Sequence, residues 1–233
     1  MTTPPSPPAT PPTLWDTAFE PYALEIGFLL REWNNLQDRL RSLFATLLRI
    51  PNTDIAYSIW YAIPNDRHQR QMIRNLASYL FNPKDTFFPH DDRSQLKTTA
   101  YEEKLWQEIS WIITSADELG PRRDAAAHSP VAFIVGDPGE FVAKDIFGNP
   151  QAKTLKGKKL LNEFRLCRDR ASILQKHAEA IQHVVEMNSR NLQLQALPER
   201  PPWPSNPQKK KDADPSRKGR AKAQTHPPRS SQA

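Results

Sequence analysis

Cysteine is nearly missing from this chain. Cys167 is the only one in 233 residues, so no internal disulfide can form and no cysteine cluster can hold zinc. Its place on an apolar helical stripe suits a small buried thiol in a reducing cytoplasm. Glycine is scarce too, at seven residues, and none of them builds a Gly-rich loop of the kind that cradles phosphates. A His-Glu-x-x-His pair for a catalytic zinc is missing as well. His177 and His183 stand six positions apart, about 120° off a common helix face, which argues against a shared metal. The expectation is a protein that works without metal or cofactor. No apolar run approaches the roughly 18 to 20 residues of a membrane-spanning helix, so no membrane association is expected. Residues 1–13 hold six prolines and lack the basic start and apolar centre of a secretory signal. The expected location is the cytoplasm.

Positive charge is also missing from most of the chain, although the whole carries +6. From Pro198 onward there are nine Lys and Arg against Glu199, Asp212 and Asp214, and the first 197 residues hold 23 basic and 23 acidic groups. The excess therefore belongs to the C-terminal stretch, with Pro201-Pro202-Trp203-Pro204 and Lys209-Lys210-Lys211. Its composition is too poor in apolar residues to order itself. It reads as a solubilising extension, and any RNA binding by it would be weak and salt-dependent. The expected organisation is a Pro-rich tail at 1–13, one helical domain at 14–197 and a basic tail at 198–233. Deleting both tails should leave stability nearly unchanged.

The body is written in helical periods. Asp16 is placed to cap a helix with Pro21 in its first turn. Ile26, Leu30, Trp33, Leu36, Leu40, Leu43 and Leu47 form one stripe that ends before Pro51. Asn52, Thr53 or Asp54 starts a shorter aromatic segment through Ile55, Ile59 and Trp60, closed by Pro64. Asp66 reads as the cap of a third helix carrying Met72, Ile73, Leu76, Tyr79 and Leu80. A loop rich in breakers follows from Asn82 to Asp92. A long helix then runs through Leu105, Ile109, Ile112, Ala116 and Leu119, until Gly120-Pro121 interrupts it and starts a short helix from Arg122 to His128. Val131–Val135 and Glu140–Lys144 read as two strands around the turn Gly136–Gly139. A basic linker leads to a last helix with Leu160, Phe164, Cys167, Ala171, Leu174, Ala178, Ile181 and Val185 on one face. The fold class expected is mainly α, a bundle of four to five helices with a small β-hairpin before the last helix. Trp33, Trp60, Trp106 and Trp111 fall within helical segments and read as packing residues.

Chemistry concentrates in Arg122-Arg123-Asp124-Ala125-Ala126-Ala127-His128. At about 100° per residue Asp124 and His128 share a face, whereas Arg123 and His128 stand about 140° apart. One ideal helix lets the aspartate orient the histidine without bringing the arginine to it. An alternative arrangement remains open. Arg122 and Arg123 can pair with acidic residues of the bundle, while Asp124 and His128 make a hydrogen bond at the helix end.

Arg123-Asp124-Ala125-Ala126-Ala127-His128, in the C-terminal half of an α-bundle, resembles the R-x4-H signature of the HEPN superfamily, helical domains that often act as RNases. The resemblance implies a homodimer in which two such motifs face each other. It implies a metal-independent endoribonuclease of toxin or defence type, with Arg123, Asp124 and His128 catalytic and Arg122 contacting substrate. His128 would move a proton to or from the ribose 2′-hydroxyl or the leaving oxygen. Arg123 would stabilise the charge on the scissile phosphate. Because the family includes members without catalytic activity, the resemblance fits equally a helical dimeric module that binds a nucleotide, RNA or protein partner.

Overall fold

The structure, a computed structural model, describes residues 13–82, 99–129, 131–134, 140–143, 150–189 and 195–205. The expected loop after Asn82, the hairpin turn, Gly148-Asn149, most of the N-terminal tail and the lysine-rich stretch lie outside the described residues.

Six helices and one hairpin make up the described fold: α1 (Leu14–Leu48), α2 (Thr53–Ala62), α3 (Asp66–Phe81), α4 (Ala100–His128), β1 (Val131–Ile134), β2 (Glu140–Ala143), α5 (Pro150–Leu155) and α6 (Leu160–Ser189). Mainly helical architecture with a two-stranded antiparallel hairpin before the last long helix is thus what the periodicity indicated. α1 packs most extensively on α6, and α4 packs on both α3 and α6. The expected stripes of α4 and α6 are buried in full. On α1 the inward face takes Leu29 where the sequence suggested Leu30. Trp33 and Trp60 lie in the core and Trp106 and Trp111 pack against it. Burial pushes the Cys167 thiol up to about 12, against the lowering fields of Arg122 and Arg170.

The helix starts follow capping chemistry, three residues earlier than expected at α1 and one residue earlier at α3. Thr13, not Asp16, caps α1. Thr13 Oγ1 accepts from the Asp16 N–H, and the Asp16 carboxylate accepts in return from the Thr13 N–H at 2.9 Å. These hydrogen bonds hold the Asp16 carboxyl below its ordinary range. Asn65 caps α3, leaving Asp66 as its first residue, and Asn52 caps α2. Short side chains with an oxygen satisfy the amide groups that a helix start leaves open.

The main correction concerns Gly120-Pro121. No break occurs there, since α4 runs continuously for 29 residues with Pro121 inside it. The motif therefore ends a helix and does not begin one. Proline normally disfavours a helical residue before it because its ring meets that residue's Cβ. Gly120 has no Cβ to meet. The cost that remains is the lost N–H bond to the Asp117 carbonyl and the clash of the ring with it. Side-chain contacts on both sides of the proline offset that cost, as the site below describes.

The hairpin pairs Val131 with Ala143 and Phe133 with Phe141. It is fastened to the first turns of α1. Phe141 is buried against the rings of Trp15, Phe19 and Tyr22, with centroids 5.0 to 5.5 Å away. The Phe141 N–H donates to Tyr22 Oη at 3.2 Å. One face of the N-terminal half of α1 is consumed in this way, and Glu25 ties a neighbouring face to Arg165 and Arg168 of α6.

The compact unit extends to Trp203, six residues past the boundary expected at 197. Leu197 and Trp203 pack against the core, and Trp203 stands edge-on to Trp111 with centroids 5.5 Å apart. Composition averaged over the proline-rich, basic stretch from 198 onward hides the anchor at Trp203, whereas Leu197 closes the expected domain. A short helix, α5, also occupies the region read as a basic linker.

Candidate functional site

Arg123 leaves α4 toward α3 and α1. Its Nη2 donates to Asp66 Oδ2 at 2.9 Å, and its guanidinium carbon lies 4.9 Å from the centre of the Trp33 ring. Asp124 Oδ1 stands 3.2 Å from Arg123 Nε, within ion-pair reach, although that Nε has no hydrogen-bond partner of good geometry.

A second arginine reinforces the same cluster. Arg70, only 3% exposed, donates through Nε to Asp117 Oδ1 at 2.7 Å and reaches Asp66 at 3.3 Å through Nη1. Its guanidinium also lies over Trp33, at 5.5 Å. Arg74 pairs with the other Asp117 oxygen at 3.1 Å. Arg70 and Arg123 thus share one tryptophan and one carboxylate. Between them, Gly120 passes so close that a Cβ there would stand 3.6 Å from Arg70 and 3.8 Å from Trp33.

The cluster borders a cavity of about 340 Å³ between the starts of α3 and the later turns of α4. Asn65, Arg67 and His68 line its other side, and Asn65 Nδ2 is 2.9 Å from His68 Nδ1. Sequence reading missed His68 as a neighbour of the motif, since 55 residues separate it from Arg123 and no local spacing links them. The cavity is close to neutral, with Asp66, Asp117 and Asp124 matching Arg67, Arg70 and Arg123.

His128 is elsewhere. It lies exposed in the last turn of α4, outside the lining of that cavity. No hydrogen bond joins it to Asp124, whose carboxylate faces Arg123. Arg122 points the other way, with Nη1 3.7 Å from Glu163 of α6. The structure brings Arg123 and Asp124 together, and within one chain it separates both from His128 and Arg122. These ion pairs match the alternative arrangement for the two arginines, and the hydrogen bond it gave to Asp124 and His128 is not made.

A second polar cluster escaped the sequence reading. His177 and Glu108, both buried, meet inside the α4–α6 interface with Nε2 3.1 Å from Oε2. Arg200 donates to the same carboxylate oxygen at 2.8 Å and lies over Trp111, while Trp111 stands edge-on to the His177 ring. Here the C-terminal segment covers a buried acid. Among the described residues no group of three or more His, Cys, Asp or Glu could hold a metal ion. No described helix is long and apolar enough to cross a membrane.

No family model matches this sequence, and neither a curated protein nor a solved structure is matched by it.

Proposed function

We propose that this chain is a non-catalytic helical module that works as a dimer and binds a protein partner. The observation that carries this reading is the Arg123 guanidinium, which is held by Asp66 and Asp124 over the face of Trp33. One carboxylate that accepts its hydrogen bond and a second within ion-pair reach offset the positive field of this guanidinium and leave it poorly placed to stabilise a scissile phosphate. The charge distribution supports a protein partner over RNA. The first 197 residues balance 23 basic against 23 acidic groups, whereas nucleic-acid binders concentrate basic charge on the folded surface. Apolar side chains of α2, Ile55 and Tyr61 among them, are exposed, as protein-binding surfaces commonly are.

A second reading is favoured by one feature. His128 is exposed at the end of α4, where a second copy could bring an arginine to it. A metal-independent endoribonuclease with a composite Arg123/His128 site would use it so.

Incubating the purified chain with single-stranded and structured RNA in chelator decides between the two. The binding module leaves RNA intact. Cleavage to 2′,3′-cyclic phosphate ends, abolished by His128→Ala with the fold unchanged, overturns the binding reading and installs the ribonuclease.

A further inference from the structure

The outer face of α1 carries the pattern of a surface made to meet its own copy. Glu20, Leu24, Gly27 and Arg31 fall within an arc of about 60°, flanked by Ala23 and Phe28, on the side opposite the buried Leu29 and Trp33. All six are exposed, Leu24 at 53% and Phe28 at 41%. They frame an open, mostly apolar groove of about 450 Å³.

Gly27 is the unexpected member. Glycine inside a helix is disfavoured by roughly 1 kcal/mol relative to alanine, and among the described residues nothing beyond the helix's own adjoining turns would lie within 4 Å of a Cβ there. The protomer itself gives no packing reason for it. A second backbone passing at close range supplies one.

The order of residues says which backbone. About a two-fold axis crossing α1 between residues 25 and 26, an antiparallel copy stands level in a self-complementary way. Leu24 falls beside Gly27 of the partner subunit, so a large side chain meets an empty position twice. Glu20 falls beside Arg31 of the partner subunit, so opposite charges meet at both ends. The two copies of Phe28 stand on the same flank, about 7.5 Å apart along the helix axes, each level with Ala23 of the partner subunit. Arg31 now pairs with the adjacent Glu32 at 2.8 Å and lies over Phe28. Such an exposed pair is worth little, and it can be exchanged for the partner's Glu20.

We infer that this face of α1 is the isologous interface of a homodimer, built by antiparallel packing of α1 on α1. This deepens the reading of a dimeric module and rests on it only in that the chain self-associates. The two-fold symmetry follows from the pattern, because each half of the stripe complements the other half.

Sedimentation velocity of the full chain at micromolar concentration tests it. The expected species is a dimer. Gly27→Leu should weaken association by tenfold or more while leaving the melting temperature of the protomer undiminished, since the added side chain enters open space in its own chain. Leu24→Asp should give monomers. Glu20→Arg and Arg31→Glu should each weaken the dimer several-fold, and the two together in one chain should restore it, which only the antiparallel register allows. A dimer indifferent to Gly27→Leu and Leu24→Asp overturns this interface and leaves a dimeric module assembled elsewhere. A wild-type monomer overturns both.

Discussion

Arg123 and Asp66 join α4 to α3 through a 2.9 Å hydrogen bond between groups that are each about a quarter to a third exposed. The pair lies 57 positions apart in sequence and closes over the Trp33 ring. Removing either partner breaks a contact between helices. Arg123→Ala and Asp66→Ala should each destabilise the fold by about 1–2 kcal/mol, the usual range for a charged hydrogen bond discounted for solvent. A double-mutant cycle in urea should show coupling between them. Strict additivity would mean that the bond contributes nothing.

Arg70 has more at stake because it is buried. Deleting it leaves Asp117 with Arg74 and Asp66 with Arg123, both carboxylates about a third exposed, so the cost stays below the roughly 3–5 kcal/mol of an orphaned buried charge. Arg70→Ala should still cost more than Arg123→Ala by denaturant unfolding, because it also removes a buried side chain packed on Trp33. Equal effects would show that this packing contributes nothing.

Pro121→Ala should stabilise the protein. It restores an N–H to the Asp117 carbonyl and removes the ring clash inside a continuous helix, a gain of about 1–3 kcal/mol. Thermal unfolding measures it. A lowered midpoint would mean that the proline, and not only the flanking ion pairs, sets the path of α4.

The segment ending at Trp203 should matter to stability, contrary to its tail-like composition. Truncation after Leu197 removes the Arg200 bond to Glu108 and the Trp203 contact with Trp111. A half-buried tryptophan supports a loss of about 2 kcal/mol, which for a body of this size lowers the melting midpoint by roughly 4–8 °C. An unchanged midpoint would show the segment to be a passive covering.

Cys167 gives a pH dependence of known sign. Burial raises its thiol from 9.0 to about 12 in the folded chain. Between those values the unfolded state releases a proton that the folded state keeps, so stability should fall as pH rises from about 9 toward 12. Cys167→Ala should flatten that part of the stability profile. In the native protein near pH 8 the thiol should also resist alkylation, until denaturant exposes it.

The parts of the fold legible in the sequence are those where periodicity alone decides. The stripes of α4 and α6 and the strands around residues 136–139 follow directly from spacing. Gly120-Pro121 misled because proline's cost is read locally, whereas Arg122–Glu163 and Arg123–Asp66 are contacts to remote residues. Trp203 was hidden for the opposite reason, since its surroundings argue against order and only its partner on α4 argues for it. The site was half legible. Helical geometry already separated Arg123 from His128, but nothing in local spacing points to Asp66, Arg70 or Trp33 as the groups that hold the arginine. Glu108 and His177 are equally silent, being single polar residues within apolar stripes.

The shared use of Trp33 by Arg70 and Arg123 bears on how descent would shape this chain. Five side chains from three helices, at positions 33, 66, 70, 117 and 123, depend on one another, so a change at one creates selection for change at the others. Relatives that keep the arginine at 123 would be expected to keep its carboxylate and its aromatic ring, whether or not they cleave anything. Retention of that arginine is therefore no sign of catalysis. Retention of a histidine at 128 would be different, because that exposed ring supports little of the fold and only a task outside it would preserve it.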